Sequence, residues 1–320
     1  MFRRTMRLLL LFSAFFAGAA HAQGYPNKPI RMIVPYAPGG SLDALARMIS
    51  EGLGNKWKQN VIVDNRAGAA GNIGTELAFR APPDGYTLLA TSDGPLVINK
   101  HLYRSLPFQP DAFIPISILS SAPMLITINP KIPIRTLPDF ISYAKSNPGK
   151  LSFGSSGLGG SSHLAVALFE MMSGTKFNHV PYKGMAPATA DFLAGHLDFI
   201  FGFEASLGQH FNSDRIAILA VTNDKRIASL PNVPAVAEVV PGYAAYSWFA
   251  ILAPPGTPED IVARLSEAIN EILRTPEAQK RMHGMGQVVL AKSGAEAKAF
   301  VVAESEQWGK VVRATGATAE

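Results

Sequence analysis

Serines and glycines gathered at strand-to-helix turns are the residues of this chain best suited to chemistry. The first such turn, Tyr36-Ala37-Pro38-Gly39-Gly40-Ser41, follows the apolar run 30–34 and opens an amphipathic stretch at Leu42. A turn of this kind bares backbone N–H groups at the positive end of a helix, where an anion is welcome. Gly39 and Gly40 let the main chain come close to a guest. The same residues also suit a plain turn with Ser41 as the helix cap. Asp43, in the first helical turn, suits the helix dipole and local amides as well as a ligand.

A denser turn spans 154–163, Gly154-Ser155-Ser156-Gly157-Leu158-Gly159-Gly160-Ser161-Ser162-His163. Amides and hydroxyls in that number form a nest able to hold a carboxylate without a full countercharge. A flexible connection ending in a serine cap is the other reading. Ser92 and Gly94 form a third junction, a donor with close approach or a helix cap. Lys183 is placed to meet an anion or to sit in solvent. Asp198 ends the turn 194–198 and either fixes the next strand or touches ligand.

Enzymatic and cofactor readings fare less well. His163 beside Ser161 and Ser162 suggests a base next to a nucleophile, but the G-x-S-x-G elbow of serine hydrolases is missing. The glycines of 66–74 follow G-x-x-G-x-x-G spacing and lack the G-x-G step of a dinucleotide loop. The 7 histidines show no H-E-x-x-H pattern and there is no cysteine, so neither a metal nor any cofactor is expected.

These turns need strands and helices to position them, and the chain alternates the two in the α/β manner. Strands are expected at 30–34, 60–64, 86–91, 151–154, 179–181, 197–201 and 216–222. Helices are expected at 42–54, 72–80, 139–146, 162–172, 187–194, 258–273, 276–282 and 295–312. Two longer apolar, β-branched stretches, 113–129 and 246–253, read as crossovers between two lobes. The first lobe is then discontinuous, 23–122 with 249–320, and the second is 123–248. Ligands in open α/β sheets sit beyond the carboxyl ends of the strands, which points the glycine turns into the cleft between lobes. Hinge closure is the natural motion of such a pair.

Residues 1–22 have the form of a secretory leader: Arg3, Arg4 and Arg7, an apolar run from Leu8, and Ala20-His21-Ala22 as the cleavage site. Cleavage after Ala22 leaves a chain free in the bacterial periplasm. It also lowers the formal charge from +5 to about +2, since three arginines and no acid depart. No Lys/Arg block or aromatic ladder marks a nucleic-acid surface, so nucleic acid is not an expected partner.

Several blocks together resemble one family. They are Tyr25-Pro26-Asn27-Lys28-Pro29-Ile30-Arg31, Pro35 to Asp43, Asp64-Asn65-Arg66-Ala67-Gly68, and Pro83-Asp84-Gly85-Tyr86-Thr87-Leu88. Ser155-Ser156-Gly157 with Ser162-His163-Leu164, Val180-Pro181-Tyr182-Lys183-Gly184, and Leu230-Pro231-Asn232-Val233-Pro234 continue the series. In this order they resemble the Bug-type solute receptors of tripartite tricarboxylate transporters. The resemblance implies a type II periplasmic-binding-protein fold, a small organic carboxylate held by main-chain amides and waters, and a two-subunit membrane permease as partner. It implies no chemical step and a monomer. Gly202-Phe203-Glu204-Ala205 departs from the family's usual Asp-Ser/Asn-Leu-Pro run, and Met185 replaces a small residue. Phe203, like Tyr36, is therefore expected to face the apolar body of the ligand, and Glu204 to repel a second carboxylate or pair with an amine. A periplasmic sensory partner and a serine hydrolase are the rival readings.

Overall fold

The computed structural model describes residues 24–182, 184–211 and 213–319. The leader, its cleavage point and Lys183 lie outside the described residues. The first strand, β1 (Ile30–Val34), is apolar except for Arg31 and runs parallel to β2 (Val61–Asn65) and β3 (Thr87–Ser92) on either side. A parallel strand of this composition must be covered on both faces. Helix α1 (Ser41–Trp57) covers one of them with Leu42, Leu45, Ala46, Ile49 and Leu53, which recur at helical spacing and are buried. The helix stops at Lys58, whose left-handed backbone turns the chain away.

Further along come α2 (Asn72–Phe79), a π-helical turn at Gly94–Ile98 and the short α3 (Asn99–Leu102). The longest strand, β4 (Ile114–Ile128), then leads to α4 (Leu137–Ser146), β5 (Ser152–Ser155), α5 (Ser161–Ser173) and β6 (Asn178–Pro181). Next are α6 (Met185–Ala194), β7 (Phe199–Phe203), α7 (Glu204–Leu207), β8 (Ala217–Val221) and β9 (Tyr246–Ala253). The chain closes with α8 (Glu259–Arg274), α9 (Pro276–Gly284), β10 (Val288–Lys292) and α10 (Gly294–Thr315).

Ten strands form one sheet in the order β2-β1-β3-β9-β4-β7-β5-β6, with β8 and β10 also on β4. Strand β4 serves two sets of partners. Its first half, to Pro123, pairs with β9 and β10; its second half, from Met124, pairs with β7 and β8. Pro123 has no N–H to give to a ladder, so it suits the point where one set of partners hands over to the other. Thr222 secures the handover. Its amide donates to the Met124 carbonyl at 2.9 Å, and its hydroxyl accepts the Met124 N–H at 3.0 Å.

Strand β9, expected as the second crossover, lies wholly beside β3 and the first half of β4. Just before it, the Ala245 amide bonds the Thr222 carbonyl. Strand β10 was not foreseen. Its pairing with β4 shifts register between Val289 and Lys292, and Ala291 has φ 50, so the alternation that marks a strand is broken.

One core cluster runs beneath both sets of strands, from Ile33 and Leu89 through Trp248 and Trp308 to Phe140, Phe169 and Phe199. A second lies between β1, α1 and α8, and a third packs Phe192 and Leu197 against β7 and β8.

Candidate functional site

Helices α1 and α5 both start on a glycine. Gly40 and Gly160 have extended backbones at the N-cap, and no side chain caps either helix. Helix α6 also starts on an uncapped glycine, Gly184, whose backbone has φ 113. Uncapped first turns leave N–H groups directed at whatever lies in front of them. In front of all three is one cavity of about 610 Å³, whose wall includes Gly40 and Ser41, Gly160 and Ser161, and Gly184 and Met185.

Most of the expected site residues meet in that cavity. Tyr36, Ala37, Gly40, Ser41 and Asp43 line it from the first turn, and Ser92 and Gly94 from the end of β3. Ser156, Gly159, Gly160 and Ser161 line it from the serine-rich loop, and Phe203 from the end of β7. Tyr36 donates to or accepts from the Ser92 hydroxyl at 2.7 Å, and burial raises its phenol well above the usual range.

Asp43 is turned onto its own surroundings. Its carboxylate accepts from the Gly39 amide, Arg47 and Asn65, each at 3.0 Å. Desolvation works against its charge, but these hydrogen bonds outweigh it and hold the carboxyl below the ordinary carboxylate range. Asp43 thus shapes the turn that contains Pro38 and Gly39, neither of which lines the cavity.

Three other residues lie behind the serine-rich loop instead of in the cavity wall. Ser155 is fully buried and hydrogen-bonds His179 Nε2 at 2.6 Å. Ser162 accepts the Ser156 amide on its hydroxyl at 3.0 Å. His163 accepts the Gly159 amide on Nδ1 at 3.1 Å and stacks on His179 at 4.3 Å between ring centroids. Burial, reinforced by the His179 ring, pushes His163 down to about 4, so the imidazole is neutral and free to accept. Ser162 and His163 spend their polar atoms on the loop's backbone, not on each other, so they do not form a nucleophile and base. Asp198 lies outside the cavity wall, where it accepts from the Ser152 amide at 2.7 Å and hydroxyl at 2.8 Å. It ties β5 to β7 and touches no site residue, because a carboxylate at that turn satisfies the start of the neighbouring strand.

Other wall residues carried no local signal in the sequence. Asp93 is 1% exposed, accepts from the Ser247 hydroxyl at 2.8 Å with one oxygen, and has no hydrogen-bond partner for the other. Burial pushes it up to about 7, the nearby Glu304 adds to that, and Ser247 opposes it. Leu102, Phe249 and Met285 add apolar surface from three separate elements. Among the described residues, no group of three His, Cys, Asp or Glu is placed to hold a metal ion. No described helix is long and apolar enough to cross a membrane.

Residues 45–317 match the model of the tripartite tricarboxylate transporter family receptor. The chain belongs to that family. It is 35% identical over 319 residues to Protein BugT of Bordetella pertussis, covering 97% of this chain and 98% of BugT. Among solved structures it is similar to R. palustris Rpa4515 with adipate, at TM-score 0.81 and 32% identity over 92% of this chain and 99% of the other. It is also similar to MatC from Rhodopseudomonas palustris with bound malate, at TM-score 0.76 and 26% identity over 90% and 100%. The architecture is the two-lobed α/β fold of the periplasmic solute-binding proteins.

Proposed function

We propose that this receptor closes two lobes over one small organic carboxylate in the periplasm and delivers it to a two-subunit membrane permease, acting as a monomer without a chemical step. One observation carries the reading: three uncapped, glycine-started helices, one before the β4 handover and two after it, open onto a single cavity. Peptide dipoles summed at helix ends stabilise a carboxylate without a buried lysine or arginine. Adipate and malate, bound by the two similar structures, are carboxylates of the size such a cavity takes. The lobes in this reading divide near Pro123 on the outward path and near Tyr246 on the return.

Titration calorimetry of the chain beginning at Gln23 against a panel of organic acids tests the proposal. Gly40→Val is the diagnostic variant. Its backbone is extended and nothing lies within 4 Å of an added Cβ, so valine enters at the mouth of the amide site without a clash at its Cβ, at the cost of a poorer helix cap. Loss of acid binding in a cooperatively folded protein whose melting temperature falls by no more than about 2–4 °C is the expected result. Unchanged affinity, or binding of neutral sugars in place of acids, would refute the assignment.

A further inference from the structure

The cavity wall has an uneven chemistry beyond its amide ends. Ile98, Leu102, Met185, Phe203, Phe249 and Met285 make much of it apolar. Its described side chains include three carboxyl groups, Asp43, Asp93 and Glu204, and no lysine, arginine or histidine. Asp43 is compensated by Arg47 and Asn65, as described above. Among the described residues neither Asp93 nor Glu204 is in an ion pair; Asp93 accepts from the Ser247 hydroxyl at 2.8 Å and Glu204 from the Ser229 hydroxyl at 2.9 Å. Glu204 is also held in place from behind, because a side chain begun at Gly286 would lie 3.0 Å from its Cβ.

We infer that the guest has a single carboxylate on an apolar body, and that Glu204 bars a second anionic end. This rests on the receptor reading above and narrows its ligand class. A carboxylate held by the amides leaves the rest of the ligand against methionine, leucine and phenylalanine, where apolar surface gains by leaving water. A second carboxylate there loses its hydration, meets no cation among the described residues, and lies near like charge. A distal ammonium is drawn to Glu204, but it too gives up its hydration against the apolar wall, and the unpartnered oxygen of Asp93 is sealed from it.

Three six-carbon acids that differ only at the far end test this: hexanoate, 6-aminohexanoate and adipate, titrated calorimetrically into the chain beginning at Gln23. Hexanoate is expected to bind best, with affinity rising about fourfold per methylene from propionate. Adipate is expected to bind at least about tenfold more weakly, the cost of an uncompensated desolvated charge. Glu204→Gln should narrow the adipate gap and leave hexanoate unchanged. Adipate or 6-aminohexanoate binding as tightly as hexanoate would overturn the inference while leaving the receptor intact. An unchanged adipate gap in a folded Glu204→Gln protein would remove Glu204 from it. If no acid in the series binds, the receptor reading falls as well.

Discussion

Gly159 and Leu102 meet face to face across the cleft: a Cβ placed on Gly159 would lie 2.5 Å from Leu102 Cδ1. Gly159 belongs to the serine-rich loop before α5, and Leu102 ends α3, on the other side of the β4 handover. The two jaws therefore touch at a point where an added Cβ would force the Leu102 side chain to shift.

Gly159→Ala should hold the jaws apart and weaken ligand binding by about tenfold or more, on the scale of 1.4 kcal/mol per decade. Gly159 also has φ 73, so alanine strains the loop as well. The double variant Gly159→Ala with Leu102→Ala separates the two effects. Measured against Leu102→Ala alone, recovery of affinity in calorimetry identifies the cross-cleft clash, whereas a loss of the same size as in Gly159→Ala identifies the backbone.

His163 gives the fold a defined response to acid. Its folded pKa of about 4 lies below the unfolded value near 6.5, so the unfolded chain binds the extra proton first. Stability is complete above about pH 6.5 and falls as pH drops toward 4, by on the order of 2 kcal/mol. In His163→Asn the amide oxygen stands in for Nδ1 and does not titrate in this range. Urea melts at pH 7 and pH 4.5 should show a smaller difference for the variant than for the parent. Equal slopes would mean that Gly159 does not depend on a neutral imidazole.

Asp93 responds in the opposite sense. Its folded pKa of about 7 lies above the unfolded value near 4, so the native state holds a proton that the unfolded chain has released. The native state therefore loses stability as pH rises from about 4 toward 7. Asp93→Asn keeps an oxygen for Ser247 and carries no charge. The variant should melt several degrees higher than the parent at pH 8 and within a degree or two of it at pH 4.5. A lower melting temperature at pH 8 would show that the carboxylate is stabilised in the wall by groups other than Ser247.

Local pattern was enough to place β1, α1 and the two glycine turns, because their signals are contained within a few residues. Ile30 to Val34 is a buried strand by composition, and Gly40-Ser41-Leu42 starts a helix by chemistry. Long-range pairing was not legible in the same way. The 113–129 stretch read as a passage between lobes and Pro123 marks a break in it, but which strands lie on either side, β9 up to Pro123 and β7 from Met124, is set by residues far away in the chain. Asp93 sits between two recognised site residues, but its burial depends on Ser247, 154 positions away. Phe249 and Met285 reach the cavity only because β9 and the turn before β10 arrive there through tertiary packing. Asp198 and His163 had the right residue types in the right neighbourhood, and only their hydrogen bonds show that they support the loops and strands behind the cavity.

The uncapped starts of α1, α5 and α6 have a chemical consequence for life in fluctuating surroundings. Peptide groups neither gain nor lose protons across the range in which cells live, unlike an ammonium or imidazole used for the same purpose. For the carboxylate cargo proposed above, acidity acts on this anchor only once the cargo's own carboxyl becomes neutral, at roughly pH 4. Above that threshold the peptide groups keep one charge state, and pH dependence is left to titrating neighbours such as Asp93.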